Sequence, residues 1–223
     1  MRKQTKLVAV LSTAALLAIG ASMTSFAATG WAEEDGTWVY YNRDGERATD
    51  QWKKSGNNWY WLNSDGEMAI DQLIEDGDNY YYVDINGVMA ANQWVAIDNE
   101  DAGEDDEPDH YWYYFQANGK ALTNGDNDKV SLKTVNGKKY AFDDEGKMLF
   151  GWVDENSAER VDDTDGDGFK EGIYYFGGED DGAMTVGWIQ LDITYDEATE
   201  DDYKYTAAAF NDDEDQSRWF YFK

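Results

Sequence analysis

The sequence has no cysteine, a single proline, a single histidine, and only 18 basic residues against 47 acidic ones. Without cysteine there are no disulfides or thiolate metal sites, so packing or a bound ligand must stabilise the fold. The formal net charge of -29 leaves no basic cluster for phosphate, and nucleic acid is therefore not an expected partner. The lone histidine, His110, comes with no nucleophile elbow, zinc motif or phosphate loop. We therefore expect no enzyme activity and assign no catalytic residue.

Long hydrophobic runs are missing except at the N-terminus. Arg2, Lys3 and Lys6 precede an apolar run over 7–21, and small residues end at Ala27, which is typical of a secretory signal peptide over 1–27. The run is about 15 residues, shorter than the roughly 20 that span a bilayer. Cleavage there leaves 15 basic residues against 47 acidic ones, a formal charge of -32. We predict a secreted protein of the cell surface or cell wall, without a membrane span.

Aromatic residues are abundant, at 16% of the chain, with 10 Trp and 16 Tyr, and this content argues against disorder despite the acidity. They recur with a period of 21 residues, marked by Gly45, Gly66 and Gly87, and the repeats then continue with insertions. The period predicts a repeat domain over 28–223 with seven units, near 30–50, 51–71, 72–92, 93–124, 125–150, 151–186 and 187–223.

Each unit contains a Trp or its substitute, an aromatic strand and a turn that ends in Gly, as in Asn63-Ser64-Asp65-Gly66. Gly and Asn supply the positive φ that connects two short strands, so each unit is predicted to be a β-hairpin. Isolated hairpins are marginal in water, and the units must therefore stack on each other. We expect an all-β, elongated solenoid, with the acidic insertions 98–109, 154–167 and 192–202 as exposed loops.

The pattern Gly-Trp, then Trp-Tyr-Tyr-Phe or a variant, then Asn/Asp-x-x-Gly-x-Met resembles the cell-wall-binding repeat of choline-binding modules, to which glucan-binding and clostridial toxin repeats are similar. The resemblance covers residues 30–223. It implies a left-handed β-solenoid whose aromatic pockets lie between successive hairpins. In choline-binding members, three aromatics from two neighbouring hairpins hold a quaternary ammonium by cation–π attraction.

Transferring that pattern residue by residue gives two candidate cages, each walled by a methionine after the turn Gly. The first comprises Trp31, Trp38 and Trp61, the second Trp52, Trp59 and Tyr82, and the wall residues are Met68 and Met89. A structural role in the core is the alternative for each of these aromatics. In later units Leu73, Lys139, Ala141 and Ile173 replace aromatics, so we expect no cation cage there. A shallow sugar-binding groove remains open, with platforms at Trp94, Trp112, Trp152, Trp188 and Trp219.

One acidic insertion resembles the start of a calcium loop, with candidate ligands Asp163, Asp165, Asp167 and Glu171. Position 12 of such a loop would be Tyr174 instead of a bidentate Glu, which excludes an EF-hand. Calcium is the one cofactor that the sequence suggests, and a solvated acidic loop is the other interpretation.

Attachment to choline-bearing teichoic acid or a related cell-wall polymer of a Gram-positive organism is the function that the resemblance implies. Two other classes remain open: a module that binds glucan or host glycan, and a ligand-free structural or adhesin stalk. Intact cages favour the first, and eroded cages favour the second.

Overall fold

The structure is a computed structural model that describes residues 29–104, 107–195 and 214–223. The predicted signal peptide lies outside the described residues. In the described part, strands form seven two-stranded sheets, each made of two consecutive strands. This confirms the prediction of an all-β fold built from repeated hairpins. None of the helices in those ranges is long and apolar enough to cross a membrane.

The hairpins follow one another along the chain, with one 3-10 helix at Gly168–Lys170. The strands are β1 Gly30–Glu34, β2 Thr37–Tyr41, β3 Gln51–Ser55, β4 Asn58–Leu62, β5 Gln72–Asp76, β6 Asn79–Val83, β7 Gln93–Asp98, β8 His110–Phe115, β9 Lys133–Val135, β10 Lys138–Tyr140, β11 Gly151–Val153, β12 Tyr174–Phe176, β13 Gly187–Tyr195 and β14 Glu214–Phe222. By contact density they group into two compact units, one comprising residues up to 72 with 83–89, the other 73–82 with 90–223.

The turn after the second strand of a hairpin is held by an Asn or Asp side chain. Asn63 Oδ1 accepts from the N–H groups of Asp65 at 3.0 Å and Glu67 at 2.9 Å, and the Gly66 N–H donates to the Asn63 carbonyl at 2.9 Å. Gly66 has a φ of 76°, and a Cβ there would meet the Ala48 carbonyl at 3.2 Å. Both the turn conformation and the close approach therefore favour glycine.

One backbone hydrogen bond recurs between successive repeats within each of the two compact units. The residue two positions after the turn Gly donates its N–H to a carbonyl in the second strand of the preceding hairpin. In the first compact unit, the Met68 N–H donates to the Trp38 carbonyl at 2.8 Å and the Met89 N–H donates to the Trp59 carbonyl at 2.9 Å. The same bond in the second unit joins Ala121 to Tyr80, Met148 to Trp112 and Met184 to Lys139, each at 2.8 Å. Successive hairpins therefore stack with a fixed register, as the marginal stability of single hairpins required.

The core is built from one strand position in each repeat. The residue four before the turn Gly has no exposed surface in Leu62, Val83, Phe115 and Phe142. In the second unit Phe142 packs with Val135, Tyr140 and Met148 in one buried cluster. Because Phe115, Phe142 and Phe176 belong to three different clusters, the core of the second compact unit is a series of small clusters.

One of the acidic insertions is more ordered than the sequence suggested. Asp192 lies within β13, which pairs with β14 as far as Tyr195, so the expectation of a loop there is wrong; the remainder of that insertion lies outside the described residues. Alternate residues Ile193 and Tyr195 are buried, and this period of two explains the strand. After the insertion 154–167, the chain turns inward at the 3-10 helix, and Phe169 is 2% exposed. His110 begins β8 and pairs with Asp98.

Candidate aromatic ligand sites between hairpins

The first candidate site is formed by three aromatic rings from two successive hairpins. Trp31 in β1 lies opposite Tyr40 in β2, with ring centroids 5.4 Å apart and planes inclined by 82°. Tyr60 of the next hairpin contacts Trp31 at 5.3 Å and 73°. Because their planes are steeply inclined, the three rings pack edge to face and do not stack. We call Trp31, Tyr40 and Tyr60 the first triad.

A second triad has the same construction in the second compact unit. Trp94 in β7 lies opposite Tyr114 in β8, with centroids 5.2 Å apart, and Tyr140 of the next hairpin lies 4.9 Å from Trp94. Trp94 and Tyr114 are half-buried, whereas Tyr140 is buried. The second triad therefore reproduces the chemistry of the first, a tryptophan with two tyrosines.

A third triad comprises Trp152, Tyr175 and Phe220, with centroids at 5.1 and 5.3 Å from Trp152. The ring centroid of Phe169, which follows the acidic insertion 154–167, lies 5.9 Å from that of Phe220. Trp152 is only 3% exposed. Burial, with the nearby Asp163 charge, raises the pKa of Tyr175 and keeps its phenol neutral. A cavity of about 350 Å³ beside this triad is lined by Trp152, Phe220 and Met184, among others.

The predicted first cage is only partly assembled. Trp31 and Trp38 lie on one face of their hairpin, since Trp31 pairs with Tyr40 and Glu33 pairs with Trp38. Trp61 contacts Trp52 instead, with centroids 5.2 Å apart, and strand alternation places it on the opposite face from Tyr60. The ring that reaches Trp31 from the next hairpin is therefore Tyr60.

Of the residues of the predicted second cage, Trp52 and Trp59 lie in the first compact unit and Tyr82 lies in the second. Trp52 pairs with Trp61, whereas Trp59 is 41% exposed, with the Lys54 ammonium 5.7 Å from its ring centroid. Tyr82 stacks on Phe115 at 6.1 Å and 29°. Of the predicted wall residues, Met68 packs close to Gly87, where an added Cβ would lie 2.9 Å from its Cε, and Met89 is half-buried.

The sequence reasoning did not include Tyr40, Tyr60, Tyr114 and Tyr140, and it expected the later repeats to lack a cation cage. The substitutions that suggested erosion fall beside the triads: Lys139 and Ala141 flank Tyr140, which is retained. At Leu73, by contrast, an aliphatic side chain stands where other units have Trp, and it packs on the cluster around Tyr113 and Phe115. The missed signal is the cross-strand partner of each Gly-Trp tryptophan.

Carboxylates lie near the tryptophans on the face that carries each of the first two triads. Asp180 Oδ1 accepts from Trp112 Nε1 at 3.1 Å and lies 3.1 Å from His110 Nε2, with its side chain 72% exposed. Glu33 pairs with Trp38 in the first hairpin. Negative charge beside aromatic faces favours a cation over an anion.

The candidate calcium ligands do not assemble into a metal site. In the ranges that the structure describes, no group of three or more His, Cys, Asp or Glu side chains is placed to hold a metal ion. Asp163 Oδ1 accepts from the Gly168 N–H at 2.8 Å, and Asp167 pairs with Lys170 at 3.2 Å. These bonds hold the turn that carries Phe169 into the core.

Hairpins that stack through aromatic triads define a class of repeat protein, and comparison with known proteins identifies which one. Residues 48–94 match the choline-binding repeat. The chain is similar to the choline-binding domain of Spr1274 of Streptococcus pneumoniae, with 33% identity over 43% of this chain and 95% of that one, and a TM-score of 0.32. The chain therefore belongs to the choline-binding repeat family.

Two longer structures are also similar. CbpJ of Streptococcus pneumoniae TIGR4 is 27% identical over 72% of this chain, with a TM-score of 0.47. Choline binding protein F of Streptococcus pneumoniae is 25% identical over 75% of this chain, also with a TM-score of 0.47. The chain spans 43% of the CbpJ structure and 50% of the second. Comparison with curated proteins finds no match.

Proposed function

We propose that this protein is a secreted, non-catalytic module that attaches to choline-bearing teichoic acid or a related polymer of a Gram-positive cell wall. The observation that carries the proposal is the recurrence of the same Trp-Tyr-Tyr set in two triads, at Trp31 and at Trp94. The same three rings occur at equivalent strand positions in different repeats, and this recurrence favours a ligand-binding role over chance packing.

The chemistry of a triad suits a quaternary ammonium. Such a cation cannot donate hydrogen bonds, so recognition relies on the negative faces of aromatic rings, at about 0.5–2 kcal/mol for each favourable contact. On the face that carries the second triad, the carboxylate of Asp180, which accepts a hydrogen bond from Trp112, adds a long-range attraction. The formal charge of -29 attracts the same head groups to the whole surface.

A polymer decorated with many choline groups would be bound by several weak sites at once. Each site alone needs only modest affinity, because linked sites raise the overall affinity by about 10²–10⁴. A repeat array is a direct means of presenting such sites, and its family relatives support this use here.

The test is retention of the purified chain on a choline-bearing resin, with elution by free choline and, separately, by soluble glucan. We expect elution by choline alone, and Tyr114→Leu should weaken retention because it removes a ring from the second triad while keeping an apolar side chain. The matched control is Trp219→Leu, which changes an aromatic that is 62% exposed and outside the triads, and it should behave as the unaltered chain does. Absence of retention, or elution of the bound chain by glucan alone, would refute the proposal.

Glycan binding is the second candidate, and one observation favours it. Trp188 and Trp219, 68% and 62% exposed, project from one face of the last hairpin, where Trp188 pairs with Tyr221 and Gln190 with Trp219. Exposed indoles on one face are suited to stacking against sugar rings. If glycan binding is the function, Trp219→Leu should reduce retention on a glucan resin while Tyr114→Leu leaves it unchanged.

A further inference from the structure

One ring of the first triad already contacts a cation that belongs to the chain itself. The Lys53 ammonium lies 4.7 Å from the centroid of the Tyr40 ring, within the range of a cation–π contact. The same Nζ donates to Asn42 Oδ1 at 2.8 Å, which fixes the end of the long side chain. Lys53 is half-buried, so the contact is partly screened from water.

The strand register explains how this side chain reaches the site. Lys53 in β3 pairs with Tyr60 in β4, so both side chains leave the second hairpin on the face that meets Trp31. Lys54 points to the opposite face, where its ammonium lies 5.7 Å from the Trp59 centroid. The arrangement therefore depends on Lys at this one position in the repeat.

The second triad provides a natural comparison. Lys133 in β9 pairs with Tyr140, which is the register position that Lys53 holds opposite Tyr60. Its Nζ donates to Ser131 Oγ at 3.0 Å. Among the cation–π contacts of the described residues none involves Tyr114, the counterpart of Tyr40. The same residue type thus lies over a ring of the first triad at Lys53, whereas at the equivalent position Lys133 bonds to Ser131.

We infer that Lys53 is an internal ligand of the first triad, which keeps an external quaternary ammonium out of that site and leaves the other triads to bind it. This inference rests on the proposed function, since it assigns specificity among the sites of a choline-binding module. An ammonium fixed by its own chain holds its position without a loss of translational freedom, which a free ligand has to overcome. Lys53 also ties two hairpins together through Asn42.

The test compares choline binding by the full chain with that of Lys53→Met, which removes the ammonium group and its charge and keeps an unbranched side chain. Equilibrium dialysis with radiolabelled choline should show one additional choline bound per chain in Lys53→Met. The matched control is Lys54→Met, which should bind the same number as the unaltered chain. Cooperative thermal unfolding of each variant checks that it folds.

Two outcomes separate this inference from the proposed function. Choline binding by the unaltered chain without a gain in Lys53→Met would overturn the inference and leave the function standing. Binding by none of the three proteins would refute both.

A second measurement needs no ligand. Limited acetylation followed by peptide mapping should modify Lys53 several-fold more slowly than Lys54, because the Lys53 amine is engaged by Asn42 and Tyr40. Equal rates at the two lysines would overturn the internal contact, whatever the choline measurements show.

Discussion

The half-buried turn carboxylate of Asp143 makes the stability of the fold depend on pH. Its Oδ1 accepts from the Lys147 N–H at 2.8 Å, the same bond that Asn63 makes with an amide oxygen in the second repeat. Burial, only partly offset by the hydrogen bond from Lys147, raises the pKa of Asp143 from 3.8 to about 6. Asp143→Asn should retain the acceptor and remove the buried charge.

The sign and size follow from the raised pKa. The folded state prefers protonated Asp143, so the stability that this proton supplies is complete below pH 3.8 and is lost as pH rises through about 6. A difference of about two pKa units corresponds to about 3 kcal/mol at most. Since the residue retains some exposure, we expect Asp143→Asn to raise the free energy of unfolding by about 1–3 kcal/mol at pH 8 and by little at pH 4.

Urea unfolding followed by tryptophan fluorescence measures the free energy of unfolding at pH 4 and at pH 8. The slope of that free energy against urea concentration should be the same in the variant and in the unaltered chain, which shows that both unfold in the same transition. The control is Asp144→Asn, because Asp144 is exposed and its charge stays solvated. Its effect should be within about 0.5 kcal/mol at either pH. The reasoning fails if Asp143→Asn gives the same stability change at pH 4 and pH 8, or if it destabilises the chain at pH 8.

Three further expectations concern the core and the acidic insertion. Phe142→Ala should lower the free energy of unfolding, measured with urea, by about 3–5 kcal/mol. Ile85→Ala changes a side chain that is 66% exposed and should lower it by less than about 0.5 kcal/mol. Equal losses in the two variants would contradict the assigned core. Phe169→Ala should shift Trp152 fluorescence to longer wavelength by admitting water, and an unchanged spectrum would argue against its role as a cover. Calcium and a chelator should give equal proteolysis of the segment 155–172, and protection by calcium would restore the metal interpretation.

The repeat and its hairpins could be predicted because they depend on local chemistry. The glycine at the end of each turn and the Asn or Asp three residues before it fix the turn, and the period of two in the aromatic strands fixes which residues share a face. Both signals are contained within a single unit of about 20 residues. The predicted all-β hairpin array is therefore confirmed.

The composition of a triad was harder to predict because it depends on which face of one hairpin meets the next. Tyr60 and Trp61 are adjacent in β4, and a change of face exchanges one for the other. The stacking direction is fixed by bonds between repeats, such as Met68 to Trp38, and these are not visible within one unit. Aromatic type alone gave no preference between the two residues.

The acidic insertions misled for a different reason. The carboxylates around Asp163 match the opening of a calcium loop in spacing, but spacing does not show whether the side chains converge. A single aromatic, Phe169, decides how this segment folds, because its burial draws the chain into the core. The charges then lie around that anchor, bound to local backbone and to Lys170.

A crystal structure of the chain soaked with choline would locate the ligand directly. We predict density for a trimethylammonium group against Trp94, Tyr114 and Tyr140, and no such density beside Tyr40, where the Lys53 ammonium lies. Choline bound on the exposed face of the last hairpin, with the second triad empty, would contradict the assignment of the triads as the binding sites.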